Sequence, residues 1–187
     1  MRPVALSDDI AVGEMPAPGQ IAILAKAGFR SLLCVQPDGE VARLISAADA
    51  AKAAEESGLA YAHVPIESRR LSDAQVAAVA DAMAGLPRPI YACCYSGARA
   101  AAAWAMAVAP VMQPDAITKA CWSAGYDMSA LTSDIERRHA GLPGIDPAPH
   151  PAPVDEPAPL TAPSAASAAE KIIFPRAAGA GGFAVAG

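Results

Sequence analysis

Bulky apolar residues fall into short runs, and the segments between them place apolar positions at helical spacing. Ser31–Val35 (SLLCV), bounded by Gly28 and by the turn-like Pro37-Asp38-Gly39, predicts a buried strand. Ser46 followed by Asp49 resembles a capping box and predicts a helix running through Ala53 to a stop at Gly58. Residues 59–66 (LAYAHVPI) predict a second strand with Pro65 near its end. Ser72 and Gln75 form another capping box, and Val76, Val79, Ala80 and Met83 supply the i, i+3, i+4, i+7 face of the helix that follows. Ile90–Cys93 predicts a third strand, and the alanine-rich segment after it a helix closed by Pro110. Two shorter helices are expected at about 115–124 and 133–140. Strands alternating with helices predict an α/β fold, a mostly parallel sheet flanked by helices.

Proline changes the picture at the C-terminal end. Eight of the 18 prolines lie between Pro143 and Pro163, a spacing that prevents helix and ladder formation. The expected organisation is therefore one α/β domain over residues 1–142 and a disordered Pro/Ala/Gly-rich tail over 143–187. Within that tail, Lys171-Ile172-Ile173-Phe174-Pro175-Arg176 is an apolar-basic cluster that could serve as a partner-binding peptide. At 187 residues there is little room for a second full-sized catalytic domain.

Composition narrows the function classes. Hydrophobic residues make up 53% of the chain, but 48 of them are alanine, so the core must be built with small side chains. A net charge of −5 and only 5% aromatics argue against nucleic-acid binding through a broad basic surface. The alanine-rich run stops well short of the ~20 apolar residues a spanning helix needs, so no membrane span is expected. The N-terminus lacks the apolar region of a secretory signal, and the expected location is cytoplasmic. Four cysteines, at 34, 93, 94 and 121, show no CxxC spacing, which fits reduced thiols better than a disulfide scaffold or a zinc site. No cofactor is expected.

The stretch Pro89–Arg99 (PIYACCYSGAR) carries the most chemistry, because it puts thiols at a strand end and an arginine at a helix start with a tight loop between. Such a loop turns successive backbone N–H groups inward as an anion nest, and the helix N-terminus adds positive partial charge. Both favour a thiolate at the strand end, and Arg99 offers a planar fork for an oxyanion.

The spacing Cys94-x2-Gly97-x-Arg99 resembles the active-site loop shared by cysteine phosphatases and rhodanese-type sulfurtransferases. More widely, Val12-Gly13 through Gln20, Ala27-Gly28-Phe29-Arg30, Pro37-Asp38-Gly39-Glu40, Tyr61-Ala62-His63-Val64-Pro65 and Ala124-Gly125-Tyr126-Asp127 resemble the bacterial phosphatase-like domain of beta-lactamase hydrolase-like proteins, in consistent order over residues 4–131. This chain has Cys93 where members have His, and Gln36 where they have Arg. Cys93-x5-Arg99 is a second register, and the position of Gly97 selects Cys94. Counted from Cys94, the arginine comes one residue earlier than in a phosphatase loop, at the length of the sulfurtransferase one; Ala100 stands at the phosphatase position.

The resemblance implies a phosphatase-like fold and hydrolysis of a small-molecule or protein phosphoester through a Cys94 thiophosphate. Tyr95, Ser96, Gly97, Ala98 and Arg99 would hold the transferring group. The alternatives are sulfur transfer from a sulfane donor through a Cys94 persulfide, and a catalytically silent anion-binding or interaction module. A phosphatase also needs a general acid. Glu67, just after the second strand, is a candidate by loop position and equally fits a solvated loop carboxylate. Asp38 and Asp73 are weighed beside it, and each also fits an ordinary structural role, in a turn and in a helix's first turn. Cys93 points to the opposite strand face from Cys94 and reads as a structural thiol. Cys34 and Cys121 read as small apolar fillers, His63 as structural, and Trp104 and Trp122 as helix-face packing.

Overall fold

A computed structural model of the chain describes residues 1–42 and 44–145. The expected disorder of residues 146–187, including the Lys171–Arg176 cluster, lies outside the described residues. Five strands form one sheet in the order β1-β2-β5-β3-β4. They are β1 Val4–Ser7, β2 Ile10–Glu14, β3 Ser31–Cys34, β4 Ala60–His63 and β5 Ile90–Cys94. β1 and β2 make an antiparallel hairpin, and all other pairings are parallel. The expected helix-flanked, mostly parallel sheet is what the chain adopts.

Helix α1 (Pro18–Lys26) and α2 (Ala47–Glu56) cover one face, and α3 (Asp73–Gly85), α4 (Ala98–Val108), α5 (Pro114–Ser123) and α6 (Thr132–His139) cover the other. Period-two alternation decides which side chain meets which layer. Ile90, Ala92 and Cys94 of β5 face α3–α6, whereas Tyr91 and Cys93 face α1 and α2. Leu33 and Val35 join the first layer, Leu32 and Cys34 the second.

The alanine excess has its physical reason in α4. Every residue from Arg99 to Met106 is buried, so the helix touches neighbours all round. Only small side chains let it pack against the sheet, α3 and α5 at once.

The serine caps form as expected. Ser46 Oγ accepts from the Asp49 N–H at 3.1 Å, and Ser72 and Gln75 bond reciprocally, at 3.3 Å and 3.1 Å. Among the described residues, β1, β2, α1 and a single 3-10 turn at Ser129–Leu131 were not expected. The two strands are apolar runs of four and five residues around a tight turn, too short to show a period. The signal for α1 was present in Pro18 near its first position and in Gln20, whose side chain accepts from the Ala17 N–H at 2.9 Å. The second strand is also shorter than expected, four residues long, ending two residues before Pro65, which has no N–H to donate. Trp104 is buried as expected, but Trp122 is 64% exposed and is not a packing residue. Among the described residues no helix is long and apolar enough to cross a membrane.

Candidate active site

The C-terminal end of β5 is pinned from both sides. Its neighbours donate to it, Met15 N–H to the Cys94 carbonyl at 2.7 Å and Val35 N–H to the Cys93 carbonyl at 2.9 Å. Cys94 closes the strand, and Gly97 caps α4 at φ 86°, a left-handed conformation that favours glycine. A Cβ at Gly97 would also overlap the Tyr126 hydroxyl and come within 3.1 Å of Gly13 Cα. The turn brings the Gly97 N–H to 3.1 Å from Cys94 Sγ, so the sulfur accepts a backbone hydrogen bond at a helix N-terminus. The first-turn N–H groups of α4 have no intrahelical acceptor. Tyr126 Oη steadies the loop by donating to the Ser96 carbonyl at 3.3 Å. A cleft of about 330 Å³, lined by Met1, Arg2, Gly13, Glu14, Ser96 and Tyr126, opens beside it.

Arg99, second residue of α4, is only 9% exposed and is held from three sides. It donates to the Ile66 carbonyl at 2.7 Å, to Gln36 Oε1 at 3.0 Å and to Glu40 Oε2 at 2.6 Å. The Gln36 side-chain amide donates to the same Glu40 oxygen. Burial works against the guanidinium charge, but the Glu40 hydrogen bond and the Cys94 sulfur outweigh it and hold Arg99 above its ordinary pKa. Cys94 and Arg99, paired from sequence, are therefore together in space.

The remaining candidates separate. Glu67 is exposed and follows Ile66, whose carbonyl Arg99 engages. Asp38 accepts from the Ala47 N–H at 2.6 Å at the start of α2. Asp73 accepts from Arg138 at 2.8 Å and from the Gly144 N–H at 3.1 Å. Both side chains are engaged structurally, Asp38 holding the start of α2 and Asp73, in the first turn of α3, pairing with Arg138. Glu40 was missed as a site residue. Its signal was the Pro37-Asp38-Gly39 turn, where Gly39 at φ 77° reverses the chain and brings Glu40 beside Gln36.

The other thiols lie away from the loop. Cys93 is fully buried on the opposite face, and burial pushes its thiol well above its ordinary pKa. Burial also pushes Cys121 up to about 12. Cys34 behaves differently: the neighbouring Cys93 thiol, with the Gln36 backbone, draws it down to about 7 against the effect of burial.

The family model of the beta-lactamase hydrolase-like protein, phosphatase-like domain, matches residues 3–111, more than half of the chain. A beta-lactamase hydrolase-like protein of Agrobacterium fabrum is 26% identical over 147 residues, which are 78% of this chain and 34% of that protein. The chain thus spans about a third of the length of the curated relatives it matches. Among solved structures, a presumed phosphatase from Neisseria meningitidis Z2491 superposes with a TM-score of 0.64 at 19% identity, covering 72% of this chain and 96% of that one. Kinase associated phosphatase, with its catalytic-site cysteine replaced by serine, superposes with a TM-score of 0.59 at 13% identity, covering 71% and 86%. These likenesses show the fold, that of cysteine phosphatases.

Proposed function

Because the chain belongs to the family of phosphatase-like domains of beta-lactamase hydrolase-like proteins, we propose that it hydrolyses a small-molecule or protein phosphoester through a Cys94 thiophosphate. The observation that carries this reading is the Cys94 Sγ that accepts from the Gly97 N–H at 3.1 Å, at the start of the helix that carries the buried Arg99, whose charge interacts with the Cys94 sulfur. Cys94 Sγ attacks phosphorus, the phosphorus–oxygen bond to the leaving group breaks, and the leaving oxygen takes a proton. Glu67, exposed and next in sequence to the Ile66 that Arg99 engages, is the group we assign to that proton. Water then attacks the thiophosphate, the sulfur–phosphorus bond breaks and inorganic phosphate leaves. The loop N–H groups from Tyr95 to Arg99 and the guanidinium bear on the charge that builds on the phosphoryl oxygens. Glu40, Gln36 and the Ile66 carbonyl hold Arg99 in position for that task.

The five-residue step from Cys94 to Arg99 supports a second reading, sulfur transfer through a Cys94 persulfide, since fewer inward N–H groups surround a transferred phosphoryl group. One experiment separates the two. The purified protein is offered an aryl phosphate and, separately, thiosulfate with cyanide. Phosphate release that disappears in Cys94→Ser is the expected result. Thiocyanate without phosphate selects sulfur transfer, and neither product leaves an anion-binding module.

A further inference from the structure

Cys34 and Cys93 are register partners on the adjacent parallel strands β3 and β5. Neighbouring strands lie ~4.8 Å apart, inside the ~4.4–6.8 Å range of Cα separations that a disulfide bridges. Both side chains point into the layer under α1 and α2. Both sulfurs converge on one atom, Met15 Sδ, Cys34 Sγ at 3.6 Å and Cys93 Sγ at 3.4 Å. Met15 is also the residue whose N–H holds the Cys94 carbonyl, so the pair adjoins the support of the strand end. No step of phosphoester hydrolysis uses either thiol.

We infer that Cys34 and Cys93 form a reversible disulfide on exposure to a hydroperoxide, a modification site on the face of the sheet opposite the nucleophile. Both sulfurs are buried, Cys34 1% and Cys93 0% exposed, so peroxide meets them only when the layer under α1 and α2 opens locally. The reaction then starts at Cys34, whose thiol is drawn down to about 7 while burial holds Cys93 well above its ordinary pKa. Cys34 sulfur attacks the peroxide, the O–O bond breaks, and a sulfenic acid and water (or an alcohol) result. Cys93 sulfur then attacks the sulfenic sulfur. The S–S bond forms, the S–O bond breaks, and the hydroxyl leaves as water with the Cys93 proton. Two thiols are oxidised by two electrons, and one peroxide is reduced by two. The bond would tie β3 to β5 one residue before Cys94 and restrain the strand end that aims it.

The test uses the full chain treated with hydrogen peroxide in native buffer, labelled in denaturant with N-ethylmaleimide, then analysed by intact mass and tryptic mapping. The wild type, with its four free cysteines, is expected to lose about 2 Da and to take up two labels fewer, and dithiothreitol should restore both. Cys93 and Cys94 fall in the same tryptic peptide, so the decisive sample is Cys94→Ser. There the peptide containing Cys34 should still be joined to the one containing Cys93, and Cys34→Ala should abolish the link. A link that vanishes in Cys94→Ser would overturn the assignment, because the partner would then be the nucleophile. Full labelling of Cys34 and Cys93 after peroxide treatment would overturn it as well.

Discussion

Arg99 is buried and donates to Ile66, Gln36 and Glu40, so its geometry matters as much as its charge. Arg99→Lys keeps the charge but loses the planar fork. Turnover should fall by ~10²–10³, the range for removing one preorganised donor of an oxyanion site, and a steady-state comparison with wild type checks it. Glu40→Gln tests the residue that holds the arginine. Glu40 is 40% exposed, which limits the stability cost to about 1 kcal/mol. The expected signature is a fall in kcat of roughly tenfold with little change in KM, since Glu40 would act through Arg99 and not on the substrate. An unchanged kcat would remove Glu40 from the positioning role. At this scale Cys94 and Arg99 were legible in the sequence, because strand, loop, glycine and helix follow one another within eleven residues. Glu40 was not, because it meets Arg99 across 59 positions of chain. Nor was the facing of Cys34 and Cys93, which depends on the register between β3 and β5 and has no local signature.

Among the elements, the loop and α4 act together through Gly97. Gly97→Ala places a side chain at φ 86° and against the Tyr126 hydroxyl that bonds the Ser96 carbonyl. The expected cost is about 1–3 kcal/mol, read as a fall in Tm of several degrees, with a larger loss of turnover because the Gly97 N–H no longer points at Cys94. Adding Tyr126→Phe, which removes the clashing hydroxyl, should recover part of the stability. If the single variant keeps wild-type Tm and turnover, the loop does not need its left-handed residue. The helices with serine caps were readable because each cap is a local hydrogen bond between residues three apart. The N-terminal hairpin was not, because its alternation over four residues cannot be told from loop; the pairing with β5 that stabilises β2 is made 80 residues away.

For the molecule as a whole, we propose that the folded unit extends to Ile145, slightly past the boundary at Leu142 expected from proline spacing. Pro143, Gly144 and Ile145 return onto α3 and α6. The Pro143 carbonyl accepts from Arg137, and the N–H groups of Gly144 and Ile145 donate to Asp73 and Asp134 at 3.1 Å each. A chain ending at Ile145 should match the full-length Tm and turnover. One ending at Leu142 should lose about 1–2 kcal/mol, a few degrees of Tm, and keep its turnover, because the Cys94 loop is untouched. Equal melting of the two truncated chains would return the boundary to Leu142. The sheet order β1-β2-β5-β3-β4 has a further consequence for how the protein comes into being. Among the described strands β5 is the last synthesised, yet it lies between the hairpin and the β3–β4 pair and joins them. Until residue 94 has left the ribosome, those two pieces each present an open edge and share no partner, an arrangement that invites pairing with other chains. The strand that closes the gap is the one carrying Cys94, so a nascent chain cannot display its nucleophile in a finished loop before the sheet is whole.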